Sequence, residues 1–296
     1  GIIFAVLFLI FNKYLFFILG LFNVNDTLNY KYYNIFEIAG ISFISFHLIS
    51  YLLDLKNKKI NSQVPLIDFA LYISYFPKII QGPIERYKDF SYNFKNLISP
   101  GDKVFFEGIF ILTWGIFLKS VVADRLNFLI NPVFDNIQLS NNVEVFSSTL
   151  LYSLNIFFDF AGYTKIAIGS SMLFGIFLQE NFNNPMAALS CTDFWRRWHI
   201  SLSNFLQDYL FSPLNFKFRK LRLYGLILST IITFGIAGIW HGPTICFLLF
   251  GIYHGIWLSL EIIFRKNIIS NLNKYLGKRI TNFISLITTF LGISLS

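Results

Sequence analysis

Apolar residues along this chain gather in long runs separated by short polar stretches. Residues 2–22 form one run, interrupted by Asn12 and Lys13, and residues 34–55 form a second. The shorter run at 66–82 reads as a span or a re-entrant segment. Residues 104–123 make a fourth, with Glu107 and Lys119 near enough to its ends to snorkel. Residues 145–178 are long enough for one span and a second segment broken around Gly162 and Lys165. Residues 223–260 contain no Asp, Glu, Lys or Arg over 38 positions. That is room for two spans of about 20 residues each, with Gly242-Pro243 as the break between them. Alternation of period two is absent, so the expected segments, roughly eight in all, are helices.

The connection at 179–222 is too polar to span, yet it carries a helical pattern. Trp195, Trp198, His199, Leu202, Phe205, Leu206, Tyr209 and Leu210 recur at i, i+3, i+4 and i+7. Arg196, Arg197, Asn204, Gln207 and Asp208 lie mostly on the other face. The pattern predicts one amphipathic or re-entrant helix near 194–210, capped by Thr192 or Asp193. Two basic stretches read as loops: 217–222, with four cations, and 265–279, with Arg265, Lys266, Lys274, Lys278 and Arg279. Neither holds an acid. They flank the 223–260 pair, which places both loops on the cytoplasmic side together with Lys56, Lys58 and Lys59.

Composition agrees with this layout. Hydrophobic residues are 55% of the 296-residue chain and charged ones 14%, against about 25% charged in a soluble protein. Such a chain lacks the polar surface to cover itself, which excludes disorder, a coiled coil, collagen and a disulfide-stapled miniprotein. An aromatic share of 19% suits bilayer interfaces. The net charge of +8 reads as retained basic loops rather than nucleic-acid binding. Cys191 and Cys246 form no framework and read as small core residues. The expectation is an all-α, polytopic transmembrane bundle making one domain over 1–296. Both ends lie in apolar sequence and read as cut, so that domain is expected to be truncated at each end.

Phosphate loops, His-Glu-x-x-His, Cys-x-x-Cys and Gly-x-Ser-x-Gly are absent, and no metal site is expected. Four histidines remain. His241 ends a long uncharged run just before Gly-Pro, where an imidazole is costly unless paired or facing a wet cavity. A functional group and a helix-terminal histidine bonded to backbone or lipid headgroup are equally good readings. His199, on the aromatic face of the 194–210 pattern, fits an interfacial helix or a polar group turned into a cavity. His47 and His254 read as buried and satisfied. Asp159, in Phe-Phe-Asp-Phe, is open to orienting a histidine, neutralising a basic neighbour or serving as a structural partner.

Several blocks then occur in a recognisable order. They are Gln-Gly-Pro-Ile-Glu-Arg-Tyr at 81–87, Phe-Asp-Phe-Ala-Gly-Tyr-Thr at 158–164 and Glu-Asn-Phe-Asn-Asn-Pro at 180–185. Asp-Phe-Trp-Arg-Arg-Trp-His-Ile-Ser-Leu-Ser at 193–203, Asp-Tyr-Leu at 208–210, Gly-Ile-Trp-His-Gly at 238–242 and Gly-Ile-Tyr-His-Gly at 251–255 follow. Together, over roughly 30–265, the series resembles the membrane-bound O-acyltransferases, in the branch of the alginate O-acetylation membrane protein and the D-alanyl teichoic-acid transfer protein. The resemblance implies a ring of helices around a funnel through a thinned membrane, with His241 the catalytic histidine and His199 a second active-site histidine near the funnel floor. Trp240, Arg196 and Asp159 are the supporting candidates. It implies no bound cofactor, acetyl-coenzyme A as acyl donor, and an envelope polysaccharide or an extracytoplasmic acyltransferase as partner, in a multi-pass protein of the inner (cytoplasmic) membrane.

An alcohol is a poor nucleophile until its proton is being removed, and a neutral histidine suits that task near neutral pH. His199, Arg196 or a nearby amide is then available for the oxyanion. Lys165 stands where relatives often carry Asp. Ser212-Pro213-Leu214-Asn215 replaces the Gly-Gly-Asn-Arg turn of the alginate branch, so the acceptor is not carried over from alginate. The expected function is O-acyl transfer, with acetyl the expected group, from a thioester to envelope polysaccharide. D-alanyl transfer to teichoic acid is the rival within the class. A polysaccharide transporter or export channel is the rival outside it, although no inverted repeat is visible.

Overall fold

The structure is a computed structural model that describes residues 40–296 apart from 61, 62, 98 and 243, together with residues 7, 10 and 14. Apart from those three positions, the expected span at 2–22 lies outside the described residues, as does the start of the one at 34–55. The described residues are helical, with no strand among them. α1 is Ile41–Lys56, α2 Leu66–Ser74, α3 Phe76–Ile79 and α4 Tyr87–Lys95. The 66–82 run is therefore two short pieces. Nine helical residues rise only about 14 Å, too little to cross a bilayer core, and Pro77 marks the restart at α3.

α5 runs from Asp102 to Asp135 with a π-helical stretch at Phe117–Ala123, and α6 is Asn142–Met172. The expected break around Gly162 and Lys165 does not occur: α6 continues through both. Its start is set by a capping box, in which the Asn141 side chain accepts from the Val143 and Glu144 amides and the Glu144 carboxylate accepts from the Asn141 amide. Gly162 serves packing instead. A Cβ there would come within 2.9 Å of the Lys119 amide, and one on Gly115 within 2.7 Å of the Gly162 carbonyl, so the α5 and α6 backbones touch as small residues allow in membranes.

α7 is Cys191–Arg197, α8 Ile200–Leu206, followed by a π turn and α9 Ser212–Lys217. The single helix expected near 194–210 is thus interrupted at Trp198-His199. α10 is Leu223–His241 and α11 Ile245–Ser294, and the expected break between them follows His241, with Gly242 in extended geometry. The 265–279 stretch is a correction, because it is part of α11 rather than a loop. Non-helical geometry within α11 is confined to Gly277, at φ 76°. There the helix folds back as a hairpin: the Tyr253 hydroxyl donates to the Gly292 carbonyl at 3.1 Å. The basic residues cluster toward the hairpin tip. Among the described residues, α5, α10 and α11 are long and apolar enough to cross a membrane.

Candidate functional site

The α10–α11 crossing positions His241. A Cβ on Gly251 would overlap the Phe234 carbonyl, and one on Gly238 the Phe247 carbonyl. Both helices therefore meet backbone to backbone. His241, the last residue of α10, is half-buried among rings: Trp240 at 4.8 Å, Phe250 edge-on at 5.8 Å and Phe247 at 6.3 Å. Beside it opens a cavity of about 340 Å3 whose wall includes Trp195, Trp198, Cys246, Phe250 and His254. An aromatic wall keeps the local dielectric low and strengthens any polar interaction inside.

His199 occupies the break between α7 and α8 with left-handed backbone geometry, φ 42°. Asn181 holds that break open. Its carbonyl accepts from the Ile200 amide at 2.9 Å and its side-chain oxygen from the Ser201 amide at 3.2 Å. The Asn183 amide in turn donates to the Arg197 carbonyl at 2.9 Å. The His199 ring is 2% exposed, edge-on to Phe160 at 4.7 Å and 6.5 Å from Trp240. Trp240 thus contacts both histidines. Nδ1 of His199 has no hydrogen-bond partner among the described residues. Burial first, and His241 second, push its pKa down to about 3, so the ring is neutral at neutral pH.

His254 was legible only as a structural histidine, yet it stands on the same cavity wall. Trp195 Nε1 donates to its Nδ1 at 3.3 Å. Indole nitrogen donates only, so the proton of the neutral ring is on Nε2, which lies 3.2 Å from Ser296 Oγ. The resemblance between Gly-Ile-Tyr-His-Gly and Gly-Ile-Trp-His-Gly was the available signal. His47 is buried and satisfied, accepting the Glu85 amide at 3.2 Å.

Other candidates lie elsewhere. Asp159 pairs with Lys119 at 2.8 Å, and Lys119 also binds Asp124 at 2.6 Å, so the basic-neighbour alternative describes it. Arg196 is exposed and lines a different cleft, with Asp193, Glu261 and Arg265. Lys165 pairs with Glu180 at 2.6 Å. Cys191 is buried, but Cys246 is exposed, correcting its assignment to the core. In a membrane helix an apolar run faces lipid or a cavity as readily as protein. Among the described residues no cluster of His, Cys, Asp or Glu is placed to hold a metal.

Comparison with known proteins decides the family. MBOAT, the membrane-bound O-acyltransferase family, matches the chain over residues 2–295. The chain belongs to that family. Among relatives, Probable alginate O-acetylase AlgI of Pseudomonas aeruginosa is 36% identical over 222 residues, 75% of this chain and 42% of its own length. Peptidoglycan O-acetyltransferase of Helicobacter pylori is 33% identical over 288 residues, 88% of this chain and 54% of the relative. Teichoic acid D-alanyltransferase of Bacillus subtilis is 30% identical over 245 residues, 79% and 61%. The chain spans about half the length of the curated relatives it matches. The span matched to the MBOAT family contains both His199 and His241, with the cavity between α7, α10 and α11.

Proposed function

We propose that this MBOAT chain catalyses O-acyl transfer, moving acetyl from acetyl-coenzyme A to hydroxyls of a cell-envelope polysaccharide, directly or through an extracytoplasmic acyltransferase. The observation that carries the reading is His241, half-buried on an aromatic cavity wall with a second, neutral histidine joined to it through Trp240. His241 takes the proton of the acceptor hydroxyl as its oxygen attacks the thioester carbonyl. The tetrahedral oxyanion collapses, the C–O ester bond remains, the C–S bond breaks, and the departing thiolate receives the proton from the imidazolium.

His199 supports this as a positioning residue. Because it stays neutral, it sets no positive charge against the imidazolium forming on His241. Trp240 fixes the ring plane of its neighbour. Arg196 and Asp159 take no part, since one lines another cleft and the other neutralises Lys119. The long apolar helices α5, α10 and α11 and the basic hairpin tip support a multi-pass protein of the inner membrane with that tip cytoplasmic.

The test follows labelled acetyl from acetyl-coenzyme A into envelope polymer, in membranes matched for folded protein. His241→Ala is expected to lose about 10²–10⁴-fold, the usual contribution of a positioned base. Equal label in both samples refutes the assignment. The Bacillus subtilis relative favours one second reading: label arriving only from carrier-bound D-alanine moves the donor to an aminoacyl group and leaves His241 in place.

A further inference from the structure

On the far side of α7 from the histidine cavity lies a cleft of about 350 Å3 lined by Arg196, Arg265, Asp193, Glu261, Leu189 and Ile262. It shares Arg265 with a neighbouring cleft of about 550 Å3 along α11 that also meets Lys266 and Ile269. Both acids are already engaged. Asp193 accepts from Arg197 at 2.8 Å and from the Leu189 amide at 3.1 Å. The two oxygens of Glu261 accept from the Cys191 amide at 2.7 Å, the Thr192 amide at 2.9 Å and the Thr192 hydroxyl at 2.8 Å. Arg265 donates only to a neutral acceptor, the Leu189 carbonyl at 3.0 Å, and Arg196 makes no ion pair among the described residues. The Arg265 charge reaches Asp193 without a direct ion pair, and the Glu261 carboxylate, held by neutral donors, offsets part of it. With Arg197 on Asp193, three arginines face two carboxylates and the cleft keeps a net positive charge.

Its depth identifies the counter-charge. Residues 245–264, the start of α11, carry one charged residue, Glu261, in a stretch of 20, which spans about 30 Å of hydrocarbon. Arg265 and Lys266 follow at once, at headgroup level, and Ile262 and Ile269 share their face of the helix one turn to either side. Cations at headgroup depth beside apolar surface are the chemistry of a bound anionic lipid. We infer that this cleft binds the phosphate of an anionic phospholipid, held by Arg196 and Arg265, with its acyl chains along Ile262 and Ile269. A bound lipid here would brace α7 against α11, the two elements that wall the histidine cavity.

The test measures lipid retained by the full chain after extraction from vesicles of phosphatidylglycerol mixed with phosphatidylcholine, read by native mass spectrometry. The wild type is expected to retain phosphatidylglycerol selectively. At about fivefold per basic residue near the surface, Arg196→Gln weakens retention about fivefold. Arg196→Gln/Arg265→Gln removes the preference, whereas Lys220→Gln/Arg222→Gln in the other basic stretch leaves it. Arg196 is exposed and has no ion-pair partner among the described residues, so the single variant folds and keeps the inference testable even if the double variant does not. Unchanged retention in Arg196→Gln overturns it. Displacement of the lipid by millimolar inorganic phosphate overturns it too, since that marks a site for soluble anions. Neither outcome depends on acyl transfer.

Discussion

Replacing Asn181 with alanine tests how the second histidine is held. Asn181 is fully buried, and its side-chain oxygen accepts from the Ser201 amide at 3.2 Å. That amide lies in the first turn of α8, where no carbonyl of the same helix can reach it. Alanine leaves the amide buried and unsatisfied, which costs about 1–3 kcal/mol. The His199 backbone is already in left-handed geometry without being glycine, a conformation worth about 1–2 kcal/mol against it. The asparagine is therefore a large part of what keeps the α7–α8 break in place. At 1.4 kcal/mol per factor of ten, the loss moves the local equilibrium about 5- to 150-fold toward a relaxed break. His199 then leaves Trp240, and a displacement of about 1 Å near a reacting centre can itself cost 10²-fold.

Two readouts separate the links in this argument. Thermal unfolding in detergent, followed by tryptophan fluorescence, reports whether the loss is global. Labelled transfer per folded protein, at a temperature where both forms stay folded, reports whether it is local to His199. The expectation is a lower melting temperature together with transfer reduced at least about fivefold. Wild-type stability and wild-type transfer in Asn181→Ala would show that the break does not depend on this side chain.

Three further outcomes follow from buried or exposed groups. Lys78 has no exposed surface, with Nζ 3.9 Å over the Tyr72 ring and 4.2 Å over Phe90; burial lowers its pKa and raises that of Glu85, each attracting the other's charge. Lys78 Nζ has no hydrogen-bond partner among the described residues, so the two groups act on each other through charge alone. Glu85→Gln is expected to cost about 1–3 kcal/mol, part of it recovered by adding Lys78→Met, because removing both charges leaves neither one buried without the other; a chemical-denaturation cycle showing no coupling refutes the interaction. Because the folded pKa of His199 lies near 3, below its unfolded value of about 6.5, the unfolded chain binds the extra proton. Stability from this residue is therefore full above that unfolded value and falls as pH drops toward 3, by at most about 1.4 kcal/mol per pH unit; His199→Gln should flatten that slope in pH-dependent unfolding. Maleimide is expected to label exposed Cys246 in the folded protein and to reach buried Cys191 only after denaturation; mass spectrometry of the modified peptides decides it.

Much of the fold was legible because its signals were local. The break between α10 and α11 follows from Gly-Pro within a run too long for one span. The all-α class follows from long apolar runs that do not alternate. The 265–279 stretch misled for an equally local reason: its cations lower hydropathy, but nothing before Gly277 breaks a helix. The cations lie toward the hairpin tip at Gly277 without marking an end to α11. Gly162 misled in the opposite sense. A lone glycine suggests a break, whereas here it lets Gly115 and Lys119 of α5 approach the α6 backbone, and that use is visible only once the partner helix is known.

The candidate site divides along the same line. The long uncharged run before His241 left a functional and a helix-terminal reading equally open, and its catalytic role came only from the resemblance of its block to the O-acyltransferases. His199 was legible as a residue type but not as a geometry. Its periodicity put it on one face of a continuous helix, and the structure instead sets it in a break imposed by Asn181, eighteen residues upstream. No window of helical spacing contains that hydrogen bond. Arg196 shows the converse, since its place within Trp-Arg-Arg-Trp-His suggested the reacting centre. One turn of α7 is enough to separate the faces. Phe194, Trp195 and Trp198 wall the histidine cavity, and Arg196 meets the basic cleft on the other side. Adjacency in a motif therefore locates the helix that carries the site, and the phase of that helix, fixed by Glu261 gripping its first turn, decides which of the motif's residues reach it.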